Sequence, residues 1–252
     1  EHRVVARFDV DRLLDYRSRR PIMVFDTDRW VDVETPELVV HHVKDATGAP
    51  FLLMTGPEPD RAWELFIRAV GTLAGRLGVS KFVTAHGIPM AVPHTRPLGV
   101  TMHATRPELM SGQGSVFGRV QVPGSVAALL EFRMGEQGRD AIGFAVHVPH
   151  YLSQAEYPTA AITALESITR NTGLVFPMES LREAARRTTV EIEEQISASA
   201  ELSSAISGLE QQYDAFAGGA ERENLIAEAT PMPTGDELAA QFERFLAERD
   251  DE

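Results

Sequence analysis

The chain has 252 residues, enough to bury one full hydrophobic core with or without an additional unit. Acidic residues outnumber basic ones by 37 to 24, so the net charge of −13 argues against nucleic acid and anionic membrane surfaces as partners. Cysteine is absent, which excludes disulfides, thiolate metal sites and a cysteine nucleophile. No apolar run approaches the roughly 18–20 residues that span a bilayer, and no signal-peptide core is present. We therefore expect a cytoplasmic protein.

The first part of the chain alternates between strand and helix patterns. It starts without methionine in a strand-like stretch, so we expect some N-terminal sequence to be missing from it. A strand is predicted at 21–26. Residues 50–55 are continuously apolar, as in a strand covered on both faces.

A helix is predicted after this strand, with Asp60 as its N-cap and Gly78 at its end. Its apolar stripe has spacings of three and four residues and consists of Trp63, Phe66, Val70, Leu73 and Leu77. Residues 79–85 resemble the next strand. Strand, helix and strand in this order predict a βαβ unit with parallel strands.

A second unit follows the same plan. Ser125 begins a predicted helix that ends near Gly138, and a strand is predicted at 141–148. Short strands are predicted at 99–105 and 119–122. This alternation predicts a three-layer α/β domain over residues 1–154, with a mixed sheet between helices.

Residues 155–252 contain no strand pattern and are predicted to form a helical C-terminal extension. Pro158 suits the first turn of one helix, and Gly173 its end. A long helical stretch is predicted at 178–217, ended by Gly218 and Gly219. Its apolar stripe, which we expect to pack against other helices, is Leu202, Ile206, Leu209, Tyr213 and Phe216. Thr234 and Glu237 form a capping box for a last helix ending at Phe245 and Leu246.

Three loops follow predicted parallel strands, at 56–60, 86–97 and 149–151. Because ligands gather at the carboxyl ends of such strands, we expect these loops to meet and form a site for a ligand or partner. The loops are rich in side chains with few purely structural uses: Glu58, Asp60, His86, His94, Thr95, Arg96, His150 and Tyr151.

Each candidate also has a structural interpretation. Glu58 and Asp60 could cap a helix. Arg96 could bind a carboxylate or phosphate, or pair with Glu58 or Asp60. His94 could be a general base, or it could stabilise a loop bracketed by prolines.

Known catalytic motifs are missing. The sequence contains no P-loop, no dinucleotide-binding fingerprint, no nucleophile elbow and no pair of histidines at metal-binding spacing. We therefore assign no catalytic residue, no metal and no cofactor.

Several ordered motifs resemble the proteasome assembly chaperone family, in its actinobacterial branch. They cover most of the chain and are Gly56-Pro57-Glu58-Pro59-Asp60 with Trp63 and Phe66, Val92 to Pro97, Val148 to Tyr151, Leu209 to Asp214, and Gly235 to Leu246. The resemblance implies a phosphorylase-like or hydrolase-like α/β fold with a C-terminal helical arm, and it implies that an N-terminal strand and helix are missing from the given sequence.

The resemblance also implies a function, since eukaryotic relatives assist proteasome assembly and are not enzymes. Our leading hypothesis is a non-catalytic assembly or scaffold protein that forms a homo-oligomer, for example a trimer, and binds a proteasome-related protein. The alternative is a protein that binds a small molecule (a nucleoside or an anion), or an enzyme, with a phosphorylase-like cleft. In that cleft Arg96 binds an anion, His94 moves a proton, and Glu58 or Asp60 positions the substrate.

Overall fold

A computed structural model describes residues 2–110 and 118–223 of the chain, with side chains up to residue 215. The predicted last helix, from Thr234 to Leu246, lies outside these residues. The described residues form a mixed α/β structure with three separate sheets, which confirms the fold class at this level. The strands are β1 His2–Arg7, β2 Met23–Asp26, β3 Arg29–Val33, β4 Val39–Lys44, β5 Pro50–Thr55, β6 Lys81–Met90, β7 Val100–Ala104 and β8 Asp140–Pro149. The α-helices are α1 Val10–Leu13, α2 Trp63–Arg76, α3 Val126–Glu136, α4 Pro158–Thr172, α5 Glu179–Ser197 and α6 Ala200–Glu223.

The first sheet has the order β1-β4-β5, and both of its pairings are antiparallel. The predicted βαβ unit at 50–86 is therefore wrong, because β5 pairs with β4 while β6 lies in another sheet. The apolar run of β5 is also not covered on both faces, since Leu53 is 44% and Met54 38% exposed. Hydrophobicity alone could not distinguish a buried parallel strand from a half-exposed antiparallel one.

Strands β2 and β3 form an antiparallel hairpin that is a sheet of its own. The sequence predicted a strand at 21–26, and the hairpin contains it. Every residue of both strands is exposed, although most are apolar.

The third sheet has the order β6-β8-β7, with β6 parallel and β7 antiparallel to β8. Its central strand β8 is buried from Ala141 to His147. On one face, Ala141 packs in a cluster with residues of α2 and α3. On the other, Ile142 and Phe144 pack with Met102 of β7 and Ile168 of α4.

Local signals set the ends of α3 and α4 as predicted. The Ser125 side chain accepts a hydrogen bond from the Ala128 N–H at 3.1 Å, which caps α3. Pro158 begins α4, and Gly173, with φ of 77°, ends it in the left-handed conformation.

Three predictions on element boundaries are wrong. Asp60 does not cap α2; the residue at that position is Ala62, in a left-handed conformation and without a side-chain cap. Residues 119–122 form no strand, and Val120 and Val122 are exposed. Gly218 and Gly219 do not end α6, which continues to Glu223 because a glycine costs a helix only about 1 kcal/mol.

The long helical stretch from 178 is divided into α5 and α6. The break falls at Ala198 and Ser199, and the Ser199 hydroxyl accepts a hydrogen bond from the Leu202 N–H at 3.3 Å. Helix α4 packs against β8 and α5, and α5 packs against α6. This chain of contacts places α6 near the loops that follow β6 and β8.

Candidate functional site

The loop at 93–97 and the turn at His150–Leu152 lie at the end of the third sheet where β6 and β8 have their carboxyl termini. Strands β6 and β8 run parallel, with Met90 opposite Pro149, so both segments leave the sheet at the same end. Pro93 and Pro149 are almost completely buried beneath them. The structure therefore brings together the second and third of the predicted loops.

His94 and Tyr151 connect these two segments. The Tyr151 hydroxyl accepts a hydrogen bond from the His94 N–H at 2.8 Å and lies 2.7 Å from His94 Nδ1. Because that hydroxyl proton can be donated to Nδ1, the arrangement favours the neutral imidazole with its proton on Nε2. Burial lowers the pKa of His94, and burial raises the pKa of Tyr151 to about 12. Both directions favour this neutral, hydrogen-bonded pair.

Arg96 connects the same loop to helix α6. Its Nε and Nη2 donate to the two carboxylate oxygens of Asp214 at 2.8 and 2.7 Å, and its Nη1 lies 3.2 Å from Glu210. Glu210 and Asp214 are four residues apart and thus lie on one face of the helix. The hydrogen bonds to Asp214 raise the pKa of Arg96, and those from Arg96 lower the pKa of Asp214. The guanidinium is therefore occupied by two carboxylates of this chain.

Two further hydrogen bonds strengthen this contact, which we call the α6 contact and define as residues 95–97 with Glu210, Tyr213 and Asp214. The Thr95 hydroxyl donates to Glu210 at 2.5 Å. The Tyr213 hydroxyl donates to the carbonyl oxygen of Pro97 at 2.9 Å. Tyr213, predicted only as a helix-packing residue, thus also bonds to the loop.

Glu58 and Asp60 bond elsewhere, so the predicted ion pair with Arg96 is wrong. Glu58 Oε1 accepts from the Val126 N–H at 2.7 Å, at the first turn of α3. Asp60 accepts from the Asp15 N–H at 2.8 Å and pairs with Arg19 at 3.1 Å. A carboxylate at a helix N-terminus satisfies a free N–H and complements the helix dipole, so Glu58 has a structural role.

The remaining candidate histidines differ in place. His150 is exposed, with its ring 5.4 Å from that of Tyr151. His86 is in β6, where its ring lies 6.3 Å from that of His103, away from loop 93–97. Burial lowers the pKa of His86.

No pattern in the sequence indicated a contact between His103 and Glu131. His103 Nδ1 lies 2.8 Å from Glu131 Oε1, joining β7 to α3. The imidazole lies over Gly143, where a Cβ would come within 1.9 Å of His103 Cε1. Only the absence of a side chain at Gly143 leaves room for this ring.

The described residues contain neither a candidate metal centre nor a candidate membrane span. Within residues 2–110 and 118–223, no group of three or more His, Cys, Asp or Glu side chains could hold a metal ion. In the same part of the chain, no helix combines the length and the hydropathy needed to cross a bilayer.

Comparison with known proteins identifies the family. The sequence profile of the PAC2 family matches residues 1–196, and the chain belongs to this family. This match confirms the resemblance to the proteasome assembly chaperone family that the sequence motifs indicated. Comparison with curated proteins found no match.

Solved structures resemble the chain over most of its length. A Mycobacterium tuberculosis protein of unknown function is 47% identical, with a TM-score of 0.85, over 89% of this chain and 76% of that one. A Corynebacterium glutamicum protein of unknown function is 38% identical, with a TM-score of 0.80, over 85% and 80%. A Mycobacterium tuberculosis proteasome-assembly chaperone homologue is 24% identical, with a TM-score of 0.72, over 81% and 87%, a likeness that shows the fold alone.

Proposed function

We propose that this protein is a non-catalytic assembly or scaffold protein with a chaperone-like role, which forms a homo-oligomer and binds a proteasome-related protein. Membership of the PAC2 family supports the class of function. The exposed hairpin β2–β3 is the observation that supports self-association most directly.

The hairpin presents an apolar surface of unusual extent. Seven of its apolar side chains have exposed fractions from 46% to 68%: Ile22, Met23, Val24, Phe25, Trp30, Val31 and Val33. The rings of Phe25 and Trp30 contact each other, with centroids 5.0 Å apart. Because an isolated two-stranded hairpin is only marginally stable in water, this one needs a further surface to pack against.

One face of the hairpin, together with exposed apolar residues elsewhere on the chain, favours a second copy of the chain as its occupant. The cross-strand pairs Met23–Val33 and Phe25–Trp30 place four of the seven side chains on one face, where they expose about 450 Å², roughly half of the ~800 Å² that each partner contributes to a standard interface. The exposed apolar residues Leu53 and Met54 of β5 offer a complementary surface on another copy. A heterologous contact of this type closes into a ring when the rotation permits, and a trimer is the smallest such ring beyond a dimer.

The candidate site residues support a structural rather than a catalytic role. Arg96 is bonded to Glu210 and Asp214, so its charge is not available to bind an anion as the alternative function requires, and His94 Nδ1 is bonded to Tyr151. Glu58 and Asp60 bond to different elements. We propose that loop 93–97 and Tyr151 position the helical C-terminal extension on the α/β domain.

Three finer parts of this proposal stay predictions. They are the division into an α/β domain at 1–154 and a helical extension at 155–252, the phosphorylase-like three-layer arrangement, and a cytoplasmic location. Helices on both faces of β8 support the layered arrangement.

Binding to proteasome subunits tests the proposed partner. The full chain, carrying an affinity tag, is incubated separately with free α subunits and free β subunits of an actinobacterial 20S proteasome, and retention is measured by pull-down. We expect retention of at least one of the two subunit types. Retention of neither, together with a monomeric mass for the chain, would contradict the proposal.

A further inference from the structure

A cavity of about 570 Å³ lies between helix α4 and strands β7 and β8, and Arg96 is the one predicted site residue among those that line it. Its volume falls within the range of about 300–1,000 Å³ that is usual for small-molecule sites. The residues that line it include Arg96, Leu98, Val100, Phe144, Glu166 and Arg170.

One wall of the cavity is apolar and the other is polar. Leu98, Val100 and Phe144 provide the apolar wall from β7, its preceding loop and β8. The polar wall is one face of α4, since Thr159, Thr163 and Ser167 follow each other at intervals of four residues. Cavities with this division suit ligands that have an apolar body and one polar end.

Two of the three hydroxyl groups of the polar wall are already used as donors. Thr163 donates to the Thr159 carbonyl oxygen at 3.0 Å, and Ser167 donates to that of Thr163 at 2.9 Å. The donors that remain for a ligand therefore come chiefly from Arg170. Its guanidinium has five N–H donors, and its described hydrogen bond, to Ser167 Oγ at 3.1 Å, uses one of them.

Among the described residues, Arg170 has no carboxylate partner, because the nearby carboxylates lie close to other arginines. Arg96 pairs with Glu210 and Asp214, and the Glu166 carboxylate lies 3.9 Å from Arg182. Arg170 instead bonds to the neutral, buried Ser167, which orients the guanidinium. An exposed guanidinium beside an apolar wall is well suited to bind a carboxylate or a phosphate.

We infer that this cavity binds a small ligand with one anionic group, held by Arg170, and an apolar body packed against Leu98 and Val100. Arg96, the anion-binding residue expected from the sequence, lies at the edge of the same cavity but its charge is already paired. The inference does not depend on the proposed scaffold function, because ligand binding and self-association involve different surfaces.

The test is a ligand-observed NMR titration of the full chain with four probes: phenyl phosphate, benzoate, benzyl alcohol and inorganic phosphate. We expect both aromatic anions to bind about tenfold more tightly than benzyl alcohol, because a hydrogen-bonded charge contributes at least that factor. Phenyl phosphate should also bind more tightly than inorganic phosphate, because only the former packs against the apolar wall. The order of phenyl phosphate and benzoate then tells whether the natural ligand carries a phosphate or a carboxylate.

Two charge-matched variants make the test specific. Arg170→Gln should weaken binding of both aromatic anions about tenfold or more, whereas Arg76→Gln, at the exposed end of α2, should change nothing. Arg170→Lys keeps the charge and should retain most of the affinity, which controls for damage to the fold. Equal effects of Arg170→Gln and Arg76→Gln would overturn the proposal, as would the absence of saturable binding of either aromatic anion to the unmodified chain. The Arg170→Gln protein should form an assembly of the same size in solution as the unmodified protein, because self-association does not involve this cavity.

Discussion

Replacement of Tyr151 by phenylalanine tests whether loop 93–97 is a structural element. The change removes one oxygen atom and leaves the ring. It removes the hydroxyl that accepts a hydrogen bond from the backbone N–H of His94 and that is also hydrogen-bonded to His94 Nδ1. The backbone N–H and Nδ1 of His94 therefore both lose their described partner. A polar group left unsatisfied in the interior costs about 1–3 kcal/mol.

The magnitude follows from the exposure of the pair. Tyr151 is 36% exposed, so water can partly replace the lost hydroxyl, and we expect the lower part of that range. The free energy of unfolding should fall by about 1–2 kcal/mol, which corresponds to a decrease in Tm of roughly 2–8 °C for a chain of this size. Urea unfolding at pH 8, where His94 is neutral, measures the change.

Tyr16→Phe is the matched control, since Tyr16 has the same exposed fraction of 36%. Its hydroxyl donates to Asp11, an exposed carboxylate five residues earlier, and water can replace that bond. We expect no measurable change in this variant. Equal losses of stability in the two variants would refute the assignment of a specific structural role to the pair of His94 and Tyr151.

Three further predictions concern the rest of the fold. Arg96→Gln should increase amide hydrogen exchange in α6, because the bonds to Glu210 and Asp214 are lost; unchanged exchange would contradict the α6 contact. Gly56→Ala should lower the free energy of unfolding by about 2 kcal/mol or more in urea titrations, because a Cβ there would come within 2.3 Å of the Glu37 carbonyl oxygen at φ of 139°. Burial lowers the pKa of His86, His94 and His147 below the usual 6.5. As the pH falls from 7 to 5, the unfolded chain therefore binds more protons than the folded chain, and the free energy of unfolding should decrease. A free energy of unfolding that stays constant between pH 7 and 5 would contradict this effect of the three histidines.

The parts of the fold that could be predicted depend on neighbouring residues. Ser125, Pro158 and Gly173 mark helix ends through contacts or backbone angles within one turn, and the structure has those ends. The meeting of loop 93–97 with residues 150–151 was also predictable, because it requires only that β6 and β8 run parallel.

The parts that could not be predicted depend on distant residues. The Arg96 partners Glu210 and Asp214 are more than 110 residues away, and Glu58 and Asp60 were the nearer carboxylates in sequence. The pairing of β5 with β4 rather than with β6 likewise depends on contacts between strands that are not specified by an apolar run, which fixes neither the partner nor the register. The exposure of the hairpin could not be predicted either, since a sequence such as Met23 to Phe25 is typical of a buried strand.

The mass of the protein in solution tests the proposed self-association most directly. Light scattering after size-exclusion chromatography is applied to the unmodified chain and to a variant with Phe25→Ser and Trp30→Ser. Each of the two rings has a surface of ~200–250 Å², of which roughly half is exposed. If about half of the hydrophobic free energy expected for that exposed area contributes to the interface, the double substitution weakens self-association by about 3 kcal/mol, or ~100-fold in Kd. Phe132→Ser removes an equally exposed ring from α3 and is the control.

We predict that the unmodified chain and the Phe132→Ser variant have a mass of at least two chains of 27.7 kDa each, and that the mass of the hairpin variant approaches 27.7 kDa on dilution. A monomeric unmodified chain, or a hairpin variant that keeps the full mass, would contradict the account.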